Sequence, residues 1–515
     1  MNNERFVDAD EALRGLRALV LTSSGLRETK AYVNEPLKAA KARWDWHVDV
    51  VCKRPDLKGY QELAAPAGSL YAEPSSLEEV APWESDQELA ATIDAKIQEA
   101  ERITGVPIGQ IVLAADSRIG RAFVAAIIHV PETSDSLQIY ETDNREPFRA
   151  IRRLFHWADG LLENSRPDFI FSYEWARPWL FVLWLAAQRR GIPCIAVRRS
   201  KIRSGSSFFT ADPMMFNVAA RSRAKELRQN SEANRAIGDE YLSTFRGQPR
   251  ELEHIQAKWK IKSGEAWLAW HRNWASSMFS RTMRRIAGRE TGKTSDFKEL
   301  FNFNRREIHR YRHRHILKTF EDGELQSMRY VLYPMHKETD LPLNYQAAAW
   351  FDQRNTVRLL ASVLPNGYQL LVREHRRNYG LRPESYYREL SILPNVTLVS
   401  AFNSQFKYIE NADLIVTENG SSGWEGLIFG RRVLTLSQTF YDGAGRARKL
   451  DRHDTLARTV VEMLAAEAVT AVGAHDRDLA CMVQAEYETT FAEDDMTTAM
   501  HQLSSVIAGL RTPSE

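Results

Sequence analysis

The sequence predicts an α/β protein with two domains, each built on a parallel sheet that helices cover on both faces. Short apolar runs rich in β-branched residues alternate with helical stretches. This alternation occurs twice, on either side of a helical, basic middle segment. The length of 515 residues also calls for more than one core, because single cores stop growing beyond roughly 250–300 residues. We therefore expect two Rossmann-like domains that face each other across a cleft.

The first domain is expected over residues 1–213. A helix is predicted from about Pro178 to Arg190, because the segment is apolar and is bounded by Pro and Gly. Strand-like runs separated by helical stretches favour parallel pairing. These runs are Arg17–Thr22, Val48–Cys52, Gln110–Ala114, Pro167–Ser172 and Gly191–Val197.

The second domain is expected over residues 330–460, followed by amphipathic helices over 461–515. It repeats the pattern of the first domain, with helical segments between its strands. In open α/β sheets ligands bind outside the carboxyl ends of the strands, so residues that follow strands are the candidates for chemistry. The predicted strands are Tyr330–Tyr333, Tyr368–Arg373, Val396–Val399, Leu414–Val416 and Val433–Leu436.

Composition and cysteine usage indicate a globular cytoplasmic protein. The chain is 43% hydrophobic and 26% charged, as soluble domains are. Cys52, Cys194 and Cys481 are scattered, without CxxC or zinc-ligand spacing, and we expect them to be buried thiols in a reducing compartment. The longest apolar run, near 179–187, is shorter than the roughly 20 residues that cross a bilayer. The start of the chain carries no apolar signal-peptide region.

The middle segment, residues 214–329, is strongly basic. Residues 214–330 hold 24 Lys and Arg against 14 Asp and Glu, an excess of ten positive charges in a chain whose net charge is +2. Within it Trp267, Trp270 and Trp274 share one helix face with Met278. That face either packs against the body of the protein or contacts an anionic membrane leaflet or lipid-linked acceptor.

A run of His and Arg around Tyr311, His309–His315, lies near the end of this segment. His309 and His313 stand four residues apart, but the cations around them would repel a metal. A solvated basic face explains the run better. Nucleic-acid binding is a second hypothesis, disfavoured because no recognisable nucleic-acid module accompanies the run.

The most informative stretch is residues 413–436, which reads as strand, Gly/Ser turn, helix and strand. The turn consists of Gly420, Ser421, Ser422 and Gly423. Backbone N–H groups at a helix start, together with the helix dipole, favour an anion such as phosphate. The same residues are also ordinary turn chemistry, with Ser as the N-cap.

Other polar clusters follow neighbouring strands. His336 to Asp340 and the group around Glu374 and His375 follow two strands of the second half. In the first half Glu174 follows a strand, and there it could act as an acid or base or simply pair with Arg177. A carboxylate, a histidine and a phosphate cradle on neighbouring strand ends are typical of a transferase site.

The second half resembles the bacterial capsule polysaccharide biosynthesis family, whose members include Kdo transferases. The likeness covers roughly 330–445 well and 110–213 more loosely. The motifs that carry it are Tyr333–His336, Phe351–Gln353, Leu364–Gly367, Arg373–His375, Pro394–Val396, Ser421–Gly426 and Phe440–Tyr441.

The resemblance implies a GT-B fold, with a nucleotide-sugar, commonly CMP-β-Kdo, in the second domain. By resemblance His375 and the Ser421/Ser422 turn hold the CMP phosphate, and Glu425 lies near the nucleotide.

The catalytic groups also follow from the resemblance. Asp340 takes the position of the family's carboxylate beneath the anomeric carbon, and Glu174 is the acid/base that faces the acceptor. The chain departs from the family pattern at Arg376 and at 337–340, so Glu338 is an alternative to Asp340. In retaining members the carboxylate is a nucleophile.

Three arginines, Arg203, Arg373 and Arg377, are candidates for the carboxylate of the donor sugar, because guanidinium binds carboxylates bidentately. No Asp-x-Asp-like metal site stands near these clusters, so we expect neither metal nor cofactor beyond the nucleotide-sugar donor.

The sequence thus predicts a cytoplasmic glycosyltransferase of surface polysaccharide assembly. Residues 214–329 are its candidate for contact with the inner side of the membrane. Its expected substrates are CMP-Kdo and a glycan or lipid-linked acceptor. Two alternatives stay open: another CMP-ulosonic acid or a UDP- or GDP-sugar as donor, and a non-enzymatic basic scaffold that binds membrane or nucleic acid.

Overall fold

The computed structural model describes two α/β domains and helices that join them. The described residues are 13–22, 33–52, 57–66, 68–72, 87–109, 146–173, 178–230, 232–247, 315–337, 342–376, 384–401, 404–465, 472–492 and 494–511, with the single positions 11, 175, 271, 272, 275, 276, 279, 283, 378, 379 and 382.

Two sheets, of seven and six strands, form in this part of the chain. The strands are β1 Arg17–Leu21, β2 His47–Cys52, β3 Leu70–Ala72, β4 Phe169–Ser172, β5 Cys194–Arg199, β6 Ser206–Thr210, β7 Tyr330–Pro334, β8 Gln369–Arg373, β9 Val396–Val399, β10 Leu414–Thr417, β11 Arg432–Thr435, β12 Ala447–Lys449 and β13 Phe491–Ala492.

The first sheet has the strand order β13-β6-β5-β4-β1-β2-β3. β1 to β5 pair in parallel, whereas β6 and β13 are antiparallel additions at one edge. The parallel part has the Rossmann order, which reverses between β1 and β4.

The second sheet has the order β12-β11-β10-β7-β8-β9, and its pairs are parallel throughout. This is the complete six-strand Rossmann order, with its reversal between β7 and β10. The structure therefore confirms the prediction of two Rossmann-like, GT-B-like domains. The predicted strand Gln110–Ala114 lies outside the described residues.

Helices connect and cover the strands. They are α1 Glu35–Trp44, α2 Leu57–Ala64, α3 Gln87–Thr104, α4 Glu146–Ser165, α5 Pro178–Arg189, α6 Val218–Gln229, α7 Ala236–Gly247, α8 Asp322–Ser327, α9 Gln353–Val363, α10 Glu384–Ser391, α11 Phe406–Glu410, α12 Ser421–Ile428, α13 Leu456–Ala465, α14 Val472–Glu488 and α15 Met496–Arg511. Short helical turns occur at Pro342–Gln346, Ala348–Trp350 and His453–Thr455.

Both faces of the first sheet are buried, as a covered parallel sheet requires. Leu19 and Leu21 of β1 pack with α3, α4 and α5, whereas Ala18 and Val20 pack with α1, α2 and α15. Side chains alternate along a strand, so one short apolar run serves two layers. The same alternation divides β7 of the second sheet between two clusters.

The C-terminal region returns to both domains. β13 joins the edge of the first sheet and α15 packs on α1 and β6. α14 packs against α6 and α7, and its His475 is hydrogen-bonded through Nε2 to the carbonyl of Leu427 in α12 of the second domain (2.8 Å). At Gly238 of α7 an added Cβ would lie 2.1 Å from the carbonyl oxygen of Ala480. Glycine is therefore required for the close approach of these two helices.

A short segment after β7 bridges the two domains. The hydroxyl of Tyr345 donates to the carbonyl of Pro213 (2.9 Å), and Nε2 of Gln346 donates to the carbonyl of Met214 (2.5 Å). The ring of Tyr345 also packs edge-on against Phe181 of α5, with centroids 4.7 Å apart. These contacts bring the second domain against the first on the carboxyl-end side of β7.

Several predicted features lie outside the described residues. They are the aromatic face of Trp267, Trp270, Trp274 and Met278, and the basic run up to residue 314. In the parts of the chain that are described, no helix is long and apolar enough to cross a membrane.

Candidate active site

The carboxyl ends of β7 and β10 meet where the strand order of the second sheet reverses. In Rossmann-type sheets this reversal leaves a crevice in which ligands bind. His336 follows β7, and the predicted Gly/Ser turn follows β10. A Cβ added at Gly420 would lie 3.1 Å from the imidazole of His336. The two strand ends are thus in direct contact.

The Gly/Ser turn opens α12 as the sequence predicts. Gly420 is the N-cap residue, with extended backbone angles, and its N–H donates to Oγ1 of Thr417 (3.1 Å). Ser421 and Ser422 are half-buried and form the first turn, where backbone N–H groups have no partner within the helix. This arrangement suits an anion.

Gly423 has a packing role as well. An added Cβ would lie 2.1 Å from the hydroxyl oxygen of Tyr441, and that hydroxyl donates to the carbonyl of Gly420 (2.9 Å). Burial first, and then the nearby carboxylates, raises the pKa of Tyr441 well above its usual value, so the hydroxyl keeps its proton. Tyr441 thus supports the turn from behind.

A buried carboxylate lies beneath His336. Oε2 of Glu418, which is fully buried, stands 3.2 Å from Nε2 of His336, and its Oε1 accepts the hydroxyl of Tyr333. Thr417 Oγ1 is also 3.2 Å from the same imidazole nitrogen. Burial, followed by the charge of Glu418, raises the pKa of Tyr333 well above its usual value, so this phenol acts as a donor.

The backbone of His336 is held from the opposite side. Its N–H donates to Oε1 of Gln353 (2.6 Å), and its carbonyl accepts from Nε2 of Gln353 (3.1 Å) and Nδ2 of Asn378 (3.1 Å). Sequence reasoning placed His336 in a polar cluster but did not select it. Its partner Glu418 directly follows β10, the strand that pairs with β7. This position after a predicted strand is the feature of the sequence that could have identified the pair.

The predicted His375 follows β8, the neighbour of β7. Its N–H donates to Oε1 of Glu374 (2.5 Å). The other oxygen of Glu374 pairs with Nε of Arg382 (2.7 Å) and accepts from Tyr387 (2.9 Å). Glu374 and Arg382 are both almost fully buried, so this ion pair fixes the loop that carries His375.

Two further predicted residues, Arg373 and Glu425, meet through Gln405. Nη1 of Arg373 lies 3.5 Å from Oε1 of Gln405, whose Nε2 donates to Oε2 of Glu425 (2.7 Å). Both charged residues are buried, and Nη2 of Arg373 donates to the carbonyl of Ala401 (3.0 Å). The end of β8 and the second turn of α12 are thereby joined.

Arg203 lies elsewhere, in the loop between β5 and β6. Its Nη1 donates to the carbonyls of Tyr487 (3.3 Å) and Thr490 (3.0 Å), and its guanidinium lies 5.2 Å from the ring centre of Tyr487. These contacts attach Arg203 to the end of α14, whereas Arg373 is attached to the second sheet.

Four predicted site residues, Glu174, Glu338, Asp340 and Arg377, lie outside the described residues. Among the residues that are described, no group of three or more His, Cys, Asp or Glu could hold a metal ion.

Comparison with known protein families finds a match over the region that holds this site. Residues 284–472 match the sequence model of the family described as capsule polysaccharide biosynthesis protein. The matched region includes β7 to β12 and the residues that surround the reversal of strand order, namely His336, His375, Glu418 and the start of α12, which we call the switch-point site. No curated protein sequence matches the chain.

Solved structures with a similar course of chain include three of different kinds. The β-Kdo 2,7 transferase KpsC of Thermosulfurimonas dismutans is 11% identical, with 72% of this chain and 91% of that chain covered and a TM-score of 0.29. The glycotransferase of kitacinnamycin is 13% identical, with 96% and 99% covered and a TM-score of 0.24. The UDP-GlcNAc 2-epimerase of Neisseria meningitidis bound to UDP-GlcNAc is 12% identical, with 92% and 99% covered and a TM-score of 0.23.

The motifs quoted above for the second domain, from Tyr333–His336 to Phe440–Tyr441, thus lie inside the region that matches the model of the capsule polysaccharide biosynthesis family, residues 284–472.

Proposed function

We propose that the protein is a glycosyltransferase of bacterial surface polysaccharide assembly that transfers Kdo from CMP-Kdo to a glycan or lipid-linked acceptor. One observation carries the proposal: the start of α12 lies beside His336 at the switch point of the second sheet, inside the region that matches the family. The donor is taken from the resemblance of the motifs to Kdo transferases.

The start of α12 would receive the phosphate of CMP. The N–H groups and hydroxyls of Ser421 and Ser422, with the positive end of the helix dipole, stabilise its negative charge. His336 and His375 follow β7 and β8 on the same edge of the sheet and could donate to phosphate oxygens. These donors also stabilise the charge that develops as the phosphate leaves.

Transfer would proceed in two displacements. The carboxylate of Asp340, or of Glu338, attacks the anomeric carbon while the bond to the CMP oxygen breaks and its electron pair leaves with the phosphate. The acceptor hydroxyl then displaces this carboxylate and gives its proton to Glu174. Two inversions produce retention.

The positions of these residues in the chain support such roles. Residues 338–341 follow His336, at the second switch point, and precede Tyr345 and Gln346, which contact the first domain. Glu174 stands two residues after the end of β4, which borders the switch point of the first sheet. Along the chain, one carboxylate thus follows a strand of the first domain and the other follows a strand of the second, as the proposal requires.

A transfer assay with CMP-Kdo and a Kdo-terminated acceptor tests the proposal. We expect Asp340→Ala or Glu338→Ala to abolish transfer, and Glu174→Gln to slow it by about 10²–10⁴-fold. Glu462→Gln, which changes an exposed residue paired with Arg448 (2.8 Å), serves as the control. Folded variants that all transfer sugar at the parent's rate would refute the proposal, and transfer from a UDP- or GDP-sugar would replace the donor.

We also propose that residues 214–329 associate with the inner face of the membrane. The excess of ten positive charges in 214–330 supports this, because anionic lipids attract basic segments. Sedimentation with anionic and with neutral vesicles tests it: equal recovery with both would exclude the association.

A further inference from the structure

A pocket of about 160 Å³ opens between the two domains, next to the switch-point site. The end of β5 and the loop after it form one wall, α6 forms another, and the loop Phe440–Asp442 closes it from the second domain. It is smaller than the roughly 300–1,000 Å³ of pockets that enclose a whole drug-sized ligand. It therefore suits one part of a larger ligand.

The pocket is strongly basic. Five cationic side chains line it against two carboxylates, those of Asp442 and Glu486, and one of the five, Arg228, pairs with the carboxylate of Asp478 beside the pocket. Burial raises the pKa of Glu486, despite hydrogen bonds from Ser200 and Asn217 that act in the other direction. The cationic residues are Arg198, Arg199, Lys201, Arg221 and Arg228.

Contacts with both domains fix two of these cations. Nη2 of Arg221 donates to the carbonyl of Thr439 (2.6 Å), and its guanidinium stacks 4.6 Å from the ring centre of Phe216. Nζ of Lys201 lies 5.4 Å from the ring centre of Phe440. The positive charge is therefore held in place by aromatic walls from each side of the cleft.

One residue joins the pocket to the candidate active site. Gln346 lines the pocket, and its Oε1 accepts from Nδ2 of Asn419 (3.1 Å). Asn419 directly follows Glu418 and precedes Gly420. The side chain of Gln346 thus connects the pocket to Asn419, the residue before the turn that we assign to the donor phosphate.

We infer that this pocket binds an anionic group of the acceptor, a carboxylate or a phosphate, beside the sugar that receives the transfer. That the anion belongs to the acceptor rests on the proposed function. That the pocket binds an anion does not depend on it. Guanidinium and ammonium groups bind either anion, and the apolar wall of Met215, Phe216 and Phe440 would cover the adjoining carbon skeleton.

Calorimetric titration of the full-length chain tests the inference and distinguishes the two anions. The carboxylate probe is the methyl glycoside of Kdo, compared with its uncharged methyl ester. The phosphate probe is glycerol 3-phosphate, compared with glycerol. At least one anion should bind at least tenfold more tightly than its neutral counterpart, and which one does so identifies the anion.

Variants locate the binding. Arg198→Gln with Lys201→Gln changes two positions that are half-buried or exposed, and it should weaken the anion at least tenfold. Lys225→Gln on the exposed face of α6 removes one charge outside the pocket and should change affinity less than twofold. A cooperative thermal transition at the parent's midpoint verifies that a variant is folded. If the double variant shows no such transition, Arg198→Gln alone is used in its place.

Two results would overturn the inference: neither anion binds the parent better than its neutral counterpart, or the pocket variant binds as the parent does. Failure of the proposed function looks different. A chain that binds an anion through these residues but gives no response to CMP retains the pocket and loses the donor site.

Discussion

Nε2 of His336 lies 3.2 Å from Oε2 of Glu418, and each residue follows one of the two strands between which the order of the second sheet reverses. Glu418 is fully buried and also accepts from Tyr333. Contact with this buried carboxylate, together with the hydrogen bond between Nε2 and Oγ1 of Thr417 (3.2 Å), restricts how the imidazole is oriented. The pair therefore presents His336 to the crevice in one orientation.

Glu418→Gln should separate this orienting role from folding. The change removes the charge that lies 3.2 Å from the imidazole of His336, so we expect a loss of roughly 10²-fold in kcat from misplacement of the ring. The unfolding free energy should fall by about 1–3 kcal/mol. Kinetics and urea unfolding measure the two effects. Tyr333→Phe keeps the contact between Glu418 and His336, so it should lower stability with a much smaller effect on kcat. An unchanged kcat in Glu418→Gln would exclude the orienting role.

Gly423→Ala should destabilise the protein by packing rather than by loss of an anion contact. The new Cβ would lie 2.1 Å from the hydroxyl of Tyr441, and overpacking costs about 1–3 kcal/mol. Removing that hydroxyl with Tyr441→Phe should restore part of the loss.

Gly160→Ala provides the matched control for this change. Gly160 lies in α4 with nothing within 4 Å of an added Cβ, so the substitution should raise stability by about 0.4–1 kcal/mol. Equal effects at Gly423 and Gly160 in thermal unfolding would contradict the packing account.

Local patterns were sufficient to predict nine of the strands, β1, β2, β4, β5 and β7 to β11, which are short runs rich in apolar residues. They did not predict β3, β6 or β12, and β12 has the sequence Ala-Arg-Lys and so carries no apolar signal. β13 could not be predicted, because a two-residue strand has no periodicity and depends on pairing with β6. The pair of His336 with Glu418 was missed for a similar reason, since strand order rather than sequence spacing brings the two together. The role of Gln405, which joins Arg373 to Glu425, also depends on packing that no local pattern encodes.

Asp159 of α4 should make stability depend on acid pH. Burial raises its pKa, but hydrogen bonds from Lys96 (2.6 Å), Arg189 (2.9 Å) and Arg190 (2.9 Å) outweigh burial and lower it from 3.8 to about 2. Since the folded-state pKa lies below the unfolded-state pKa, the contribution is complete above pH 4 to 5 and is lost as the pH falls through about 2. The difference between 3.8 and about 2 corresponds to about 2 kcal/mol.

Urea unfolding of the parent and Asp159→Asn between pH 5 and pH 3 measures this contribution. From pH 5 to pH 3 the parent should lose about 1 kcal/mol more than the variant, because only part of the titration falls in this range. Parallel pH profiles would mean that the three cations do not stabilise this carboxylate.

Arg382→Ala should destabilise the second domain strongly. It leaves the carboxylate of Glu374 buried without its ion-pair partner, which costs about 3–5 kcal/mol. Replacing both residues by Leu should cost less than Arg382→Ala alone, because no buried charge then remains. Urea unfolding compares the two, and the opposite order would contradict the assignment. Because Glu374 also accepts from the N–H of His375, the response to nucleotide should weaken in Arg382→Ala.

The most direct test of the account is thermal stabilisation by CMP, UDP and GDP, measured on the parent and on Ser422→Asp. A carboxylate in the first turn of α12 favours the helix by about 0.3–1 kcal/mol but repels a phosphate at the same place. We predict that CMP raises the midpoint of the parent, since it binds the folded state alone. Ser422→Asp should have a ligand-free midpoint no lower than the parent's and should lose this rise. No response of the parent to any nucleotide, or an equal rise in Ser422→Asp, would contradict a nucleotide phosphate at the start of α12.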